Sequence, residues 1–162
     1  MFRLDDRDLK ILSILSQEGR ISKAALARRV NLSAAPAWER LRRLELAGLI
    51  TGYHADIALR KLGPHVVVFM IAELQSHRAE DFQQFERKLA LLDEVTACWA
   101  VGGGVDYILQ VVTKDIDAYQ RLVDHLLEAR IGLARYFTYV VTKPVKQVPP
   151  PLERLLLRQP NE

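Results

Sequence analysis

Leu32-Ser33-Ala34-Ala35-Pro36-Ala37-Trp38-Glu39-Arg40-Leu41-Arg42-Arg43-Leu44-Glu45 is the stretch whose reading decides the fold. At about 100° per residue it makes one helix with two unlike faces. Ala37, Leu41 and Leu44 fall on one side, flanked by Trp38, while Ala35, Pro36, Glu39, Arg42 and Arg43 point the other way. Ser33 is a favourable N-cap, and Pro36 sits in the first turn, where its missing N–H breaks no intrahelical bond. Gly48 supplies the left-handed residue that ends the helix. Trp38 is assigned to the core.

Upstream, Ser22 can cap a second, shorter helix running to Val30, with Ile21 and Leu26 spaced as a hydrophobic staple. Asn31-Leu32 between the two is a turn of helix-turn-helix length, and Asn tolerates the positive φ such a turn needs. Downstream, Leu49 to Asp56 reads as a strand or hairpin arm, a small wing. At the N-terminus Asp5 can cap a first helix, Asp8 suits its positive end, and Leu4 can staple onto Leu9. Leu9, Leu12 and Leu15, helped by Ile11 and Ile14, are its expected buried stripe, and Gly19-Arg20 closes it. Three helices and a wing in under sixty residues make a winged helix-turn-helix.

The chain has 162 residues, 49% of them apolar, enough for two small domains with real cores. Its net charge of +3 is unevenly placed. Between Arg20 and Arg43 seven basic residues face Glu39 alone, as a surface that meets phosphates requires. Cys98 is the only cysteine, so neither an intramolecular disulfide nor a Cys-rich zinc site can form. Ala97 and Trp99 beside it suggest a buried thiol. No signal peptide opens the chain and no apolar run reaches membrane-spanning length, so no membrane partner and a cytoplasmic location are expected.

Beyond a linker at 58–64 the hydrophobic period alternates. His65 to Leu74 and Val95 to Val101 have strand character; Arg78 to Leu92 repeats Phe82, Phe85, Leu89 and Leu92 at helical spacing. Gly102-Gly103-Gly104 is a turn into a strand from Tyr107 to Thr113. A helix over Asp115 to Arg130 and a strand over Arg135 to Lys143 follow. The order is βαββαβ, the ferredoxin-like arrangement, whose helices cover one sheet face. The unbroken apolar run Val66 to Ile71 implies burial on both sides and hence a second subunit. The fold class is therefore α+β, with the C-terminal domain pairing into a dimeric αβ sandwich. Domain boundaries are expected at 1–57, 58–64, 65–146 and 147–162. After Pro149-Pro150-Pro151, Leu152 to Arg158 can form a tail helix with Leu152, Leu155 and Leu156 on one side.

Leu4-Asp5-x-x-Asp8, Gly19-Arg20, Leu26-Ala27, Leu32-Ser33, Arg40-x-x-x-Leu44-Glu45-x-x-Gly48-x-Ile50 and Gly52-Tyr53, in this order and spacing, resemble the Lrp/AsnC family of transcription regulators. The resemblance runs from Leu4 to about Lys146. It implies a sequence-specific regulator that binds double-stranded DNA at an imperfect palindrome. It also implies a homodimer assembling further into closed rings, and a small effector, an amino acid or derivative. Phosphates would be held by Arg20, Ser22, Lys23, Arg28, Arg29 and Ser33. Bases would be read by Ala34, Ala35, Pro36 and Glu39, while Arg40 and Arg43 could reach guanine or phosphate. The family's effector loop, of pattern Thr-Gly-x-x-Asp-Tyr, maps to Gly103, Asp106 and Tyr107, with Tyr136 and Thr138 on the last strand. Gly102 stands where the family often has Thr, and Tyr136 where it usually has Thr or Ser.

Neither cofactor nor metal is expected. The four histidines show no HxxxH pairing, and no GxSxG or lysine-bearing phosphate loop occurs. The triple glycine joins two strands and opens no helix, so it makes a poor phosphate cradle. The same fold does carry one enzymatic branch, the siroheme decarboxylases, with an Arg-x-Gly-Ala wing and a His-Asn-Tyr segment. Here Ile50-Thr51-Gly52-Tyr53 occupies the wing and no His-Asn pair exists. A sensing module without DNA binding would leave the cationic helix idle.

Overall fold

In the computed structural model, which describes residues 3–156, the chain divides into two units. One gathers the chain up to Ile57 with the returning segment from Lys146, and the other is Ala58–Val145.

The first unit holds helices α1 (Asp6–Gln17), α2 (Lys23–Arg29) and α3 (Ala34–Leu46). Asp5 and Asp8 form a reciprocal capping box, the Asp8 N–H donating to Asp5 Oδ1 at 2.9 Å and the Asp5 N–H to Asp8 Oδ2 at 3.2 Å. Ser22 Oγ accepts the Ala25 N–H. Ser33 sits in the extended N-cap conformation, yet its hydroxyl makes no cap bond. The cause lies in the sequence: the third helical residue is Pro36, which has no N–H to donate. Asn31 takes φ 53° in the α2–α3 turn, and Gly48 takes φ 69° after α3. Its N–H reaches the Glu45 carbonyl, and the Leu49 N–H that of Leu44.

The core of this unit packs Ile11 and Ile14 against Leu26, Ala27, Val30, Ala37, Leu41 and Leu44. Leu12 and Leu15 are only half-buried, because α1 turns its Ile11–Ile14 ridge inward; the expected Leu12–Leu15 stripe is displaced by one helix position. Trp38 is exposed rather than core, lying beyond the Ala37–Leu41–Leu44 face. Leu49 to Asp56 carries no strand. A lone arm has no ladder partner among the described residues of one chain, and a strand is defined by its partner. The segment is instead tied to α3 by the Tyr53 hydroxyl, which donates to Glu45 Oε1 at 2.7 Å. The returning segment ends in α7 (Leu152–Leu156), which packs beside α1; Leu152 is half-buried and Leu155 exposed. The rest of the expected tail helix, to Arg158, lies outside the described residues.

The second unit opens with a single helical turn, α4 (Leu59–Leu62), inside the expected linker. Then come β1 (Val66–Leu74), α5 (Ala79–Leu89), β2 (Val95–Ala100), β3 (Tyr107–Thr113), α6 (Ile116–Glu128) and β4 (Leu133–Val140). The last strand starts two residues earlier and ends three earlier than expected. The sheet is antiparallel in the order β2-β3-β1-β4. On its helix-covered face Val68, Met70, Ala72, Leu109 and Val111 meet Phe85, Leu89, Leu122, Val123 and Leu126. On the other face Val67, Phe69 and Ile71 are half-buried.

Cys98 is exposed, contrary to the buried thiol expected, because β2 is an edge strand. It borders a cleft of about 260 Å³ between α5 and β2, lined also by Glu86, Leu89, Ala97 and Tyr107. Partial screening of the sulfur from water in this cleft, then the nearby Glu86 charge, raises its pKa.

Leu44 is fully enclosed. Leu44→Ala is therefore expected to destabilise the first unit by about 2 to 5 kcal/mol, and Gly48→Ala by about 1 to 2 kcal/mol from its left-handed backbone. Urea unfolding followed by circular dichroism checks both values.

Candidate nucleic-acid interface and effector loop

The exposed side of α3 is small at its start, with Ala34, Ala35 and Pro36, and charged beyond, with Glu39, Arg42 and Arg43. Its arginines do not all face solvent freely. Asp8 on α1 is completely buried, and a buried carboxylate must be paired. Arg40 Nη1 donates to Asp8 Oδ1 at 2.8 Å and to Asp5 Oδ2 at 2.7 Å, while Arg43 Nη2 donates to Asp8 Oδ2 at 2.6 Å. The two arginines expected to reach guanine or phosphate thus clamp α3 onto α1. Asp5 and Asp8 raise the Arg40 pKa through these bonds. Partial burial opposes ionisation of Asp5, but the Asp8 N–H and Arg40 outweigh it and hold that carboxyl below the ordinary aspartate range.

The expected phosphate contacts also differ in their freedom. Arg29 pairs with Glu18 at 2.5 Å across an exposed surface, and Lys23 Nζ stands 3.3 Å from the centre of the Trp38 ring. Trp38 therefore stacks with a cation on the α2 flank of α3. Arg20 and Arg28 are exposed and have no ion pair among the described residues, and the Ser33 hydroxyl is unused in capping.

In the second unit, Gly103, Asp106, Tyr107 and Tyr136 gather at one end of the sheet. Tyr107 and Tyr136 both pair with Ala72, on either side of β1. The hairpin over Gly102–Gly104 is closed by the Val101 N–H donating to the Asp106 carbonyl, and Gly103 takes φ 137° with open space around it. Asp106 Oδ2 accepts the Leu74 N–H at 2.7 Å, and Oδ1 lies 3.1 Å from His77 Nε2. Where the β3 backbone leaves for the hairpin, this carboxylate supplies one more rung to β1. The Tyr107 hydroxyl donates to Glu86 Oε1 at 2.8 Å; its enclosure and then that carboxylate raise its pKa. Thr138 sits one row further along, opposite Met70, its hydroxyl 2.7 Å from that of Tyr119. No cluster of three His, Cys, Asp or Glu able to hold a metal occurs among the described residues.

Known proteins share this layout. A family model described as the Lrp/AsnC ligand binding domain matches residues 67–151, and one described as winged helix-turn-helix DNA-binding matches residues 4–51. The transcriptional regulatory protein DoeX of Halomonas elongata is 51% identical over 145 residues, covering 90% of this chain and 92% of its own. The leucine-responsive regulatory protein of Escherichia coli is 38% identical over 144 residues, 89% and 88% of the two chains. The chain belongs to the Lrp/AsnC family.

Like other Lrp/AsnC regulators, it is a DNA-binding transcriptional regulator with a ligand-binding domain. The crystal structure of a Neisseria meningitidis transcriptional regulator in complex with L-Met superposes with a TM-score of 0.87 at 30% identity, covering 95% of this chain and all of that one. What the sequence did not reveal in this Lrp/AsnC chain is the pairing of Asp8 with Arg40 and Arg43. The separations of 32 and 35 residues carry no local signal, though an Asp at the third helical position of an otherwise apolar ridge was a hint.

Asp8→Asn keeps the shape but removes the charge that both arginines face. It should cost about 2 to 3 kcal/mol, less than a deeply buried pair because the arginines can rehydrate, and equilibrium unfolding of the variant measures it. Partial burial, and then the Glu45 hydrogen bond, push the pKa of the half-exposed Tyr53 phenol up to about 12. Because the folded value lies above the unfolded value of about 10, its stabilising contribution is complete below pH 10 and is lost as pH rises through about 12. Phenolate absorbance should show a late-titrating phase that loses one tyrosine in Tyr53→Phe.

Proposed function

We propose that this regulator acts as a homodimer, and in larger closed assemblies of dimers, on an imperfect DNA palindrome, and that an amino acid or related small metabolite sets its DNA affinity. The observation that carries the assembly is the uncovered sheet face. Phe69, Ile71, Ile108, Trp99, Phe137 and Tyr139 share it, with Trp99, Phe137 and Tyr139 close to half-exposed. An apolar field of this kind, rimmed by the Glu73–Arg135 ion pair, suits a self-complementary interface between two copies. A two-fold dimer presents two α3 helices, and this favours an inverted-repeat operator.

The Gly102–Gly104 hairpin is the loop the effector meets, with Gly103 leaving room for it, Tyr136 and Thr138 beside it, and the buried Tyr107 supporting it from the core. The L-Met complex of the Neisseria relative makes methionine the first compound to try. Asp106 has both oxygens engaged within the chain, so its part is to hold the loop in place. An effector can change DNA affinity only by binding two assembly states unequally. Phosphate contacts fall to Arg20, Arg28, Ser33 and, once their surface partners yield, Lys23 and Arg29. The chain is read as a regulator with no catalytic role, working in the cytoplasm; no helix among the described residues is long and apolar enough to cross a membrane.

Light scattering of the full chain at micromolar concentration should give a dimer or a multiple of it; a stable monomer would end the paired-sheet reading. A thermal-shift screen of the twenty amino acids, started with L-Met, should find a compound that raises the melting temperature and changes operator affinity. Asp106→Ala should lower the melting temperature and leave metabolite-free operator affinity within about threefold, since Asp106 belongs to the second unit and is no part of the proposed DNA contacts.

A further inference from the structure

We propose that Arg42 is the specificity-determining arginine of α3, and that Arg40 is a positioning residue acting through Asp8. The proposal rests on the DNA-binding function of the family and divides its work among residues. The buried line of α3 is Ala37, Leu41 and Leu44. At 100° per residue the line diametrically opposite is Ala35, Glu39, Arg42 and Leu46, spaced i, i+4, i+7 and i+11, and all four are exposed. A helix laid in the major groove presents this line to the base edges. Ala35 at its start lets the backbone come close.

To read guanine, a guanidinium must turn two N–H groups toward O6 and N7 together. Arg42 can do so, since it makes no hydrogen bond or ion pair among the described residues. Arg40 cannot do so without cost. It lies on the α1 flank, only one-quarter exposed, and one of its nitrogens is shared by Asp5 and the fully buried Asp8. Moving it to a base would strip a buried carboxylate of a partner, which outweighs one base contact. Arg43 leans to the same flank and bonds the other oxygen of Asp8. Arg42 alone of the three arginines carries no such duty.

The experiment is an in vitro selection from a randomised duplex pool with the full chain, followed by titration of variants on the selected duplex and on an unrelated one at two salt concentrations. Arg42→Ala should weaken binding to the selected duplex about tenfold, change the unrelated one by less than about threefold, relax the preference at one base-pair position, and leave the melting temperature unchanged. Arg40→Ala should lower both the melting temperature and the affinity for the selected duplex. Arg40→Lys, which returns a cation to Asp8, should restore both, although lysine cannot reproduce a bidentate base contact. Equal loss on both duplexes for Arg42→Ala would mark it as a phosphate contact and overturn the proposal. So would an Arg40→Lys protein of normal melting temperature whose base preference is relaxed. A wild-type chain that enriches no motif would overturn sequence-specific binding itself, and the proposal with it.

Discussion

A carboxylate with no exposed surface is the constraint on which the DNA-binding unit depends. Asp8 must find cations, and α3 supplies both of them, Arg40 and Arg43, from the flank beside its apolar line. The solution splits α3 lengthwise. Its apolar line packs on Ile11, Leu26 and Val30, its Arg40–Arg43 flank grips α1, and its Glu45 flank ties down the segment that follows through Tyr53. What remains free is a narrow strip. On the proposed reading, the angle at which that strip meets a groove follows from how α3 sits on α1, so the ion pairs of Asp8 tie stability to recognition.

The second unit applies a similar economy at its sheet end. Asp106 extends the β1–β3 ladder by one rung after the backbone has left, which lets a hairpin of three glycines project without unravelling the strands beneath it. Tyr107 and Tyr136 flank Ala72 on the row below, one anchored to Glu86 and the other packed against the core. The loop is thereby open above a packed floor. The uncovered sheet face is the other consequence of this order of elements, since both helices lie on one side.

Much of this was legible in the sequence because the signals are local. The caps at Asp5 and Ser22, the positive φ of Asn31 and Gly48, the Ala37–Leu41–Leu44 line and the alternating periods of the second unit were all written within a few residues of where they act. What was not legible depends on residues far apart in the chain. Arg40 and Arg43 carry the composition of DNA contacts, and only the packing of α3 on α1 reveals their other partner. Trp38 reads as core by size, but lies about 100° from the buried line and stacks with Lys23. Cys98 reads as buried from its apolar neighbours, whereas its exposure follows from β2 standing at the sheet edge. The proposed effector residues rest on resemblance alone. Nothing in their spacing indicates that the Asp106 carboxylate is occupied by Leu74 and His77.

The central claim is that Asp8 and Arg40 act as one unit holding the reading helix. A double-mutant cycle over Asp8→Asn and Arg40→Met, with unfolding free energies measured for the wild type, both single variants and the double, isolates that coupling. A coupling of about 1 to 2 kcal/mol is predicted, part of the Asp8→Asn loss that Arg43 shares, since the partners make a part-buried hydrogen bond of 2.8 Å. A coupling below about 0.5 kcal/mol, with the two single effects simply adding, would contradict it.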